Sequence, residues 1–199
     1  MRLLTWINHC SGLYLPPHFS LPDNDKEMHM MKIGIFYGGS PKGSTFQAAQ
    51  NLVKHFGKDK AAMHNVGDAT REDLEKYEYL ILGTSAWGIG EMHQDWERFI
   101  DVLVEASIDD KKIALFGLGD QVEYPESFVD GMGTVFCRLP NKENVVGFWP
   151  TKGYSFYFST AEKDGKFVGL ALDEDSQPEL TGERISKWVE QLRLEFQLN

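Results

Sequence analysis

From residue 32 onward, short and nearly continuous apolar runs alternate with longer stretches in which apolar residues return every third or fourth position. The first run, Lys32-Ile33-Gly34-Ile35-Phe36-Tyr37, ends in Gly38-Gly39. Such a run suits a strand buried on both faces of a parallel sheet and feeding a loop. In residues 45–56, Phe46, Ala49, Leu52, Val53 and Phe56 share one helical face, which predicts a helix. Residues 61–66 predict a weaker strand, and Thr70 with Asp73 makes a cap-like start for a short helix over 71–77. Tyr79-Leu80-Ile81-Leu82-Gly83 is the clearest strand, followed by a loop over 84–93. Trp96, Phe99, Ile100, Leu103 and Val104 mark the next helix. Residues 112–117 predict another buried strand and 128–139 a helix that packs Cys137 into the core. Residues 144–147 and 166–171 read as two halves of one strand interrupted by an aromatic insertion. A last helix over 180–194 turns Ile185, Trp188, Val189, Leu192 and Leu194 inward.

Strands alternating with helices predict an α/β fold, a parallel sheet covered on both faces. Ligands of such sheets bind at the carboxyl ends of the strands, where the strand order reverses. That points to the loops after Tyr37, Leu82 and Phe116. Residues 1–30 do not share the pattern: they hold Pro16-Pro17, Pro22 and scattered aromatics without a period. They read as a disordered tail or a start codon assigned too far upstream, with a functional extension as the alternative. The domain therefore spans residues 31–199.

Composition narrows the class. A chain of 199 residues suits one such domain, and a net charge of −10 disfavours nucleic acid as a partner. No run approaches the length of a membrane span. Two cysteines are too few for a disulfide framework or a cysteine metal cage, so a reducing, cytoplasmic setting is expected. The histidines show no ligand spacing, and no metal site is assigned.

The candidate chemistry lies in three loops. Gly38-Gly39-Ser40-Pro41-Lys42-Gly43-Ser44-Thr45 joins a strand to a helix start, where turned backbone amides, hydroxyls and the helix dipole suit a phosphate. The alternative is a plain Gly/Ser turn that caps the helix. Neither the nucleoside-triphosphate loop nor the dinucleotide fingerprint is present. In the second loop Trp87 stands among Ala86, Gly88 and Gly90, with little of its own loop to pack on. It suits either a flat ligand or a lid over the core. The third, Gly117-Leu118-Gly119-Asp120-Gln121-Val122-Glu123-Tyr124, brings a second aromatic to the same rim. Asp120 either accepts from a ring N–H or orders its own turn.

These loops resemble those of flavodoxins. Ser40, Pro41, Lys42, Gly43, Ser44 and Thr45 are similar to the family phosphate loop, with Lys42 in place of a threonine and one added glycine. Gly117 to Tyr124 is similar to the family pattern Gly-x-Gly-Asp-Gln-x-x-Tyr, and residues 147–154 and 165–175 resemble the insertion and last strand of long-chain members. The resemblance implies a three-layer α/β/α sandwich on a five-stranded parallel sheet of order 2-1-3-4-5. It also implies one non-covalent FMN and a monomeric electron carrier rather than an enzyme. By resemblance Trp87 and Tyr124 flank the flavin ring, Ala86, Gly119 and Asp120 line it, and the Gly88 carbonyl serves the proton at flavin N5. Lys42 either neutralises the phosphate or points to solvent. Implied partners are basic redox proteins, a ferredoxin/flavodoxin-NADP reductase and an electron-accepting enzyme, which Glu91, Asp95, Glu97, Asp101, Glu123, Glu126 and Asp130 would steer. The competing readings are an FMN-dependent quinone reductase of this fold and a flavin-free interaction domain.

Overall fold

The computed structural model describes residues 32–87 and 90–198, the side chain of Trp87 excepted, so the expectations for residues 1–30 and for Gly88 lie outside the described residues. In chain order the elements are β1 (Ile33–Tyr37), α1 (Ser44–Phe56), β2 (Ala61–Asn65), α2 (Arg71–Glu75) and β3 (Tyr79–Trp87). Next come β4 (Glu91–Met92), α3 (Gln94–Glu105), β5 (Lys112–Leu118), α4 (Asp130–Arg138) and β6 (Val145–Val146). The chain ends with β7 (Trp149–Pro150), β8 (Glu162–Lys163), β9 (Lys166–Phe167), β10 (Leu170–Leu172) and α5 (Pro178–Glu195).

The strands sort their side chains between two cores with the period of two that a pleated backbone imposes. Ile33, Ile35 and Tyr37 face one core, shared with Ile81, Ala114 and Phe116, and are covered by Leu52 of α1 and Trp188 of α5. Phe36, Leu80, Leu82, Ile113 and Leu115 face the other, covered by Trp96 and Leu103 of α3 and Met132 of α4. Two apolar faces on one sheet require helices on both sides, which gives three layers.

The parallel core runs β2-β1-β3-β5, and two short strands lie along the outer side of β5. β6 pairs with its beginning, Ile113 opposite Val145, and β10 with its end, Leu172 opposite Leu118. Counted as one split strand, they complete the order 2-1-3-4-5. The residues between them form an antiparallel sheet of order β7-β9-β8.

Some details differ from the expectation. The second half of the split strand is β10 alone, because Lys166 and Phe167 belong to the inserted sheet, where Phe167 is fully buried. Residues 84–87 continue β3, and β4 returns against them with Ala86 opposite Met92. Phe128 and Val129 precede α4 but are fully buried. Val104, Leu194 and Cys137 are exposed. Each stands one or two positions beyond an inward residue, Leu103, Leu192 and Phe136, and each step turns a side chain about 100° around the helix. The cap on α2 is a full capping box: Asp73 N–H donates to the Thr70 hydroxyl, and the Asp73 carboxylate accepts from Thr70 N–H.

Candidate functional site

The indole of Trp96 anchors the site from below. Its Nε1–H donates to the Gly83 carbonyl at 2.8 Å, and the same carbonyl accepts from Gly38 N–H at 3.0 Å. A Cβ at Gly38 would stand 2.3 Å from Trp96 Cδ1, so only glycine lets the chain leave β1 across this ring. The residue after β1 and the middle of β3 are thereby held to one buried side chain.

Past β1 the chain makes a four-residue turn closed by Gly43 N–H donating to Ser40 O at 2.9 Å. Pro41 takes the second position and Lys42 the third at φ 68°, the pattern of a type II turn. The Lys42 carbonyl accepts from the Gln47 side-chain amide, and its side chain is exposed. Helix α1 then begins with Gln47 N–H donating to Gly43 O, so the amides of Ser44, Thr45 and Phe46 precede its first bond. No side chain caps this end and no acid stands in its first turn. An incoming anion meets open donors and the positive end of the dipole.

Over these amides opens a cavity of about 340 Å³. Gly39, Ser40, Gly43, Ser44 and Thr45 line one part; Ser85 and Ala86 of β3, then Leu118, Gly119, Asp120 and Tyr124, line the rest. The three loops expected from the sequence thus converge. Pro41 and Lys42 are absent from the described lining, and Lys42 is exposed. The backbone of Trp87 lies opposite Glu91 in the hairpin that β3 and β4 form. Glu174 and Asp175 also line the cavity, and sequence reasoning missed them as site residues. Their signal was available: they follow the last strand of the sheet, at the same carboxyl edge.

Asp120 orders its own turn: Oδ1 accepts from Val122 N–H at 2.8 Å and Glu123 N–H at 3.0 Å. Its carbonyl accepts from Tyr124 N–H, which sets the half-exposed Tyr124 ring at the cavity mouth. Gly119 N–H donates to Leu172 O at 3.1 Å. Behind this loop lies Asp173, fully buried. Burial pushes its carboxyl up, but hydrogen bonds from Ser176 and Gln121 more than offset this and leave it below its ordinary value. Burial also raises Asp175, reinforced by the charges of Asp120 and Asp173.

The arrangement offers an anion cradle at one end and a flat, partly aromatic cleft edged with acids at the other. Among the described lining residues there is no histidine, cysteine or lysine to act as base or nucleophile.

Comparison with known proteins agrees with this geometry. The flavodoxin family model matches residues 35–188. Flavodoxin 1 of Escherichia coli is 45% identical over 168 residues, which cover 83% of this chain and 95% of the relative. A flavodoxin of Nostoc sp. is 44% identical over 168 residues, 84% of this chain and 98% of its own. Among solved structures, Fusobacterium nucleatum flavodoxin bound to flavin mononucleotide superposes with a TM-score of 0.73 at 34% identity, covering 82% of this chain and 97% of the other. Fold, site and sequence therefore converge, and this chain belongs to the flavodoxin family.

Proposed function

We propose that this chain is an electron carrier that holds one FMN non-covalently and passes single electrons between redox proteins. The observation that carries the reading is the cavity itself, with open amides and hydroxyls at the start of α1 and the Gly119–Tyr124 turn across from them. The donor set fits the group: neutral hydroxyls and amides for a phosphate dianion, and a glycine wall that a planar ring can approach. Ser40, Gly43, Ser44 and Thr45 would hold the phosphate. Ala86, Gly119, Asp120 and Tyr124 would bound the ring, with Trp87 and Gly88 completing the site from the β3–β4 hairpin.

When bound, FMN supplies the one-electron chemistry. The chain's own residues set the conditions. Tyr124 covers the cleft mouth and limits water. Asp120, Glu174 and Asp175, with the fixed charge of Asp173 behind them, make added negative charge in the cleft costly and so favour a low potential. The described lining holds no histidine, cysteine or lysine, and its acids Asp120, Glu174 and Asp175 would act as charges beside the flavin rather than as catalysts, in keeping with a carrier. Among the described residues no helix is long and apolar enough to cross a membrane, which is compatible with a cytoplasmic monomer serving basic partners such as a ferredoxin/flavodoxin-NADP reductase.

A visible spectrum of the purified protein, with chromatographic identification of the released cofactor, tests the reading. A flavin spectrum, FMN on release and one-electron steps under anaerobic titration are expected. A colourless protein that takes up no FMN would overturn it, and NADPH oxidation by the protein alone would favour the enzyme.

A further inference from the structure

Exposed apolar side chains gather beside the cavity. Val122 is 71% exposed, Tyr157 82% and Phe158 58%, and Tyr124, two residues from Val122, lines the first cavity. The insertion carries two of these residues and is stitched to the loop that carries the others. The amides of Tyr157 and Phe158 both donate to the Pro125 carbonyl, at 2.7 and 3.1 Å, and Ser155 N–H donates to Gln121 Oε1. Between the two segments lies a second cavity of about 340 Å³. Val122, Pro125 and Tyr157 give it apolar walls, and the neutral polar groups of Gln121, Ser155 and Gln177 complete them. Among the described residues none that carries a charge lines it.

On the loop side of this hollow the exposed charge is negative, while Arg184 donates a hydrogen bond to Gln177 from beneath. Glu123 and Glu126 are exposed on the loop that carries Val122 and Pro125, and Glu174 and Asp175 precede the lining residue Ser176. The two cavities are lined by consecutive residues, Asp120 in the first and Gln121 in the second, and likewise Asp175 and Ser176. An apolar hollow with a charged rim has the anatomy of a protein-docking site, where a buried anchor supplies affinity and the rim supplies orientation and encounter rate.

We propose that this patch is an anchoring site for a redox partner protein. The partner's docking face would carry one apolar side chain that fills the second cavity, within a ring of lysines or arginines that meets the acids. The proposal rests on the electron-carrier reading for the partner's redox nature. The patch itself is read from exposure, cavity and charge. Docking there would hold the partner against the Gln121–Tyr124 turn, next to the site from which electrons leave.

The probe is a purified ferredoxin/flavodoxin-NADP reductase, with its dissociation constant measured by calorimetry at low ionic strength against the FMN-loaded and the FMN-free protein. The variant is Tyr157→Ser/Phe158→Ser, two exposed truncations that leave the core intact. Leu194→Ser is the control: Leu194 is 80% exposed, and Phe196 just beyond it stacks on Tyr79 at the amino end of β3, away from the cavities. We expect the double variant to bind about tenfold more weakly, with FMN content and salt dependence unchanged, and the control to stay within about twofold. Wild-type affinity in the double variant, equal loss in the control, or no binding by the wild type would each overturn the anchor. Failure of the electron-carrier reading would show separately, as a protein that takes up no FMN, and the affinities of the FMN-free protein would still decide the patch.

Discussion

One carboxylate oxygen of Asp173, Oδ2, accepts both the backbone N–H of Gln121 at 3.1 Å and its side-chain amide at 2.7 Å. The Ser176 hydroxyl adds a third donor to Oδ2, and Oδ1 accepts from the amides of Asp175 and Ser176 at 3.1 and 2.8 Å. Gln121 in turn accepts from Ser155 N–H. A single buried charge thus ties the turn after β5, the loop after β10 and the insertion to one another. Five donors converge on it, so nothing but an acceptor fits.

Asp173→Asn tests this clamp. The asparagine NH₂ would replace an acceptor with a donor among donors, at a cost of about 1–3 kcal/mol in stability. FMN affinity is expected to fall about tenfold, because Gly119, Asp120 and Tyr124 lose their support. The sign of the pH effect follows from the lowered native value. A carboxyl held below its unfolded value contributes stability above the unfolded value, and that contribution disappears as pH falls through the native one. Urea unfolding at neutral pH and at about pH 3 should therefore show the gap between wild type and variant narrowing in acid.

Lys42 holds a left-handed conformation, φ 68°, with its side chain exposed and outside the cavity lining. A non-glycine residue pays about 1 kcal/mol there, and a β-branched one more. Lys42→Gly is expected to leave stability unchanged or raise it by up to about 1 kcal/mol, relief of strain being partly offset by backbone entropy. Lys42→Thr should lower stability by about 1 kcal/mol. Because the side chain is exposed and outside the cavity lining, FMN affinity at about 0.15 M salt should stay within threefold in the glycine variant. Thermal unfolding and FMN fluorescence titration measure the two effects.

Much of this architecture was legible because doubly buried strands leave apolar runs that need no partner to be recognised. The runs at Ile33 and Leu80, and the interruption between Val146 and Leu170, all map onto the sheet. What failed to show depends on tertiary neighbours. Phe167, Val168 and Leu170 form one apolar run, yet it serves two sheets. A Cβ at the intervening Gly169 would lie 2.1 Å from the Leu115 carbonyl, so the strand change occurs where the backbones nearly touch. The β3–β4 hairpin is hidden because only two residue pairs define it. Within the site, glycine and hydroxyl spacing revealed the cradle and its rim. Asp173 did not stand out, since an acid in an Asp-Glu-Asp run reads as surface charge until its five donors are seen.

Gly119 adjoins the backbone that closes the core under α3 and α4. A Cβ there would stand 2.8 Å from Val129 N and 3.1 Å from Phe128 Cδ2, both in the fully buried turn before α4. Backbone on one side and a packed ring on the other leave no room to yield. Gly119→Ala should cost about 1–3 kcal/mol in stability and push the Asp120–Tyr124 turn into the cavity. Weaker FMN binding by at least about tenfold is the expected companion. Leu118→Ala, a truncation beside it, would lower stability without narrowing the cleft.

Two fully buried tryptophans allow a matched comparison. Trp96 Nε1 donates to Gly83 O at 2.8 Å, and Trp188 Nε1 donates to Gly147 O at 2.7 Å. They sit in opposite cores, one under the end of β1 and the middle of β3, the other beside β6. Replacing either by phenylalanine removes one buried hydrogen bond and part of a packed ring, worth about 2–3 kcal/mol in chemical denaturation. Of the two, only Trp96 braces Gly38, where the loop to α1 begins, and Gly83, three residues before the cavity-lining Ala86. Trp96→Phe should therefore weaken FMN binding about fivefold or more, whereas Trp188→Phe should lose the same stability and keep its affinity within about twofold. Equal affinities in the two variants would show that Gly38 and Gly83 hold their positions without the indole.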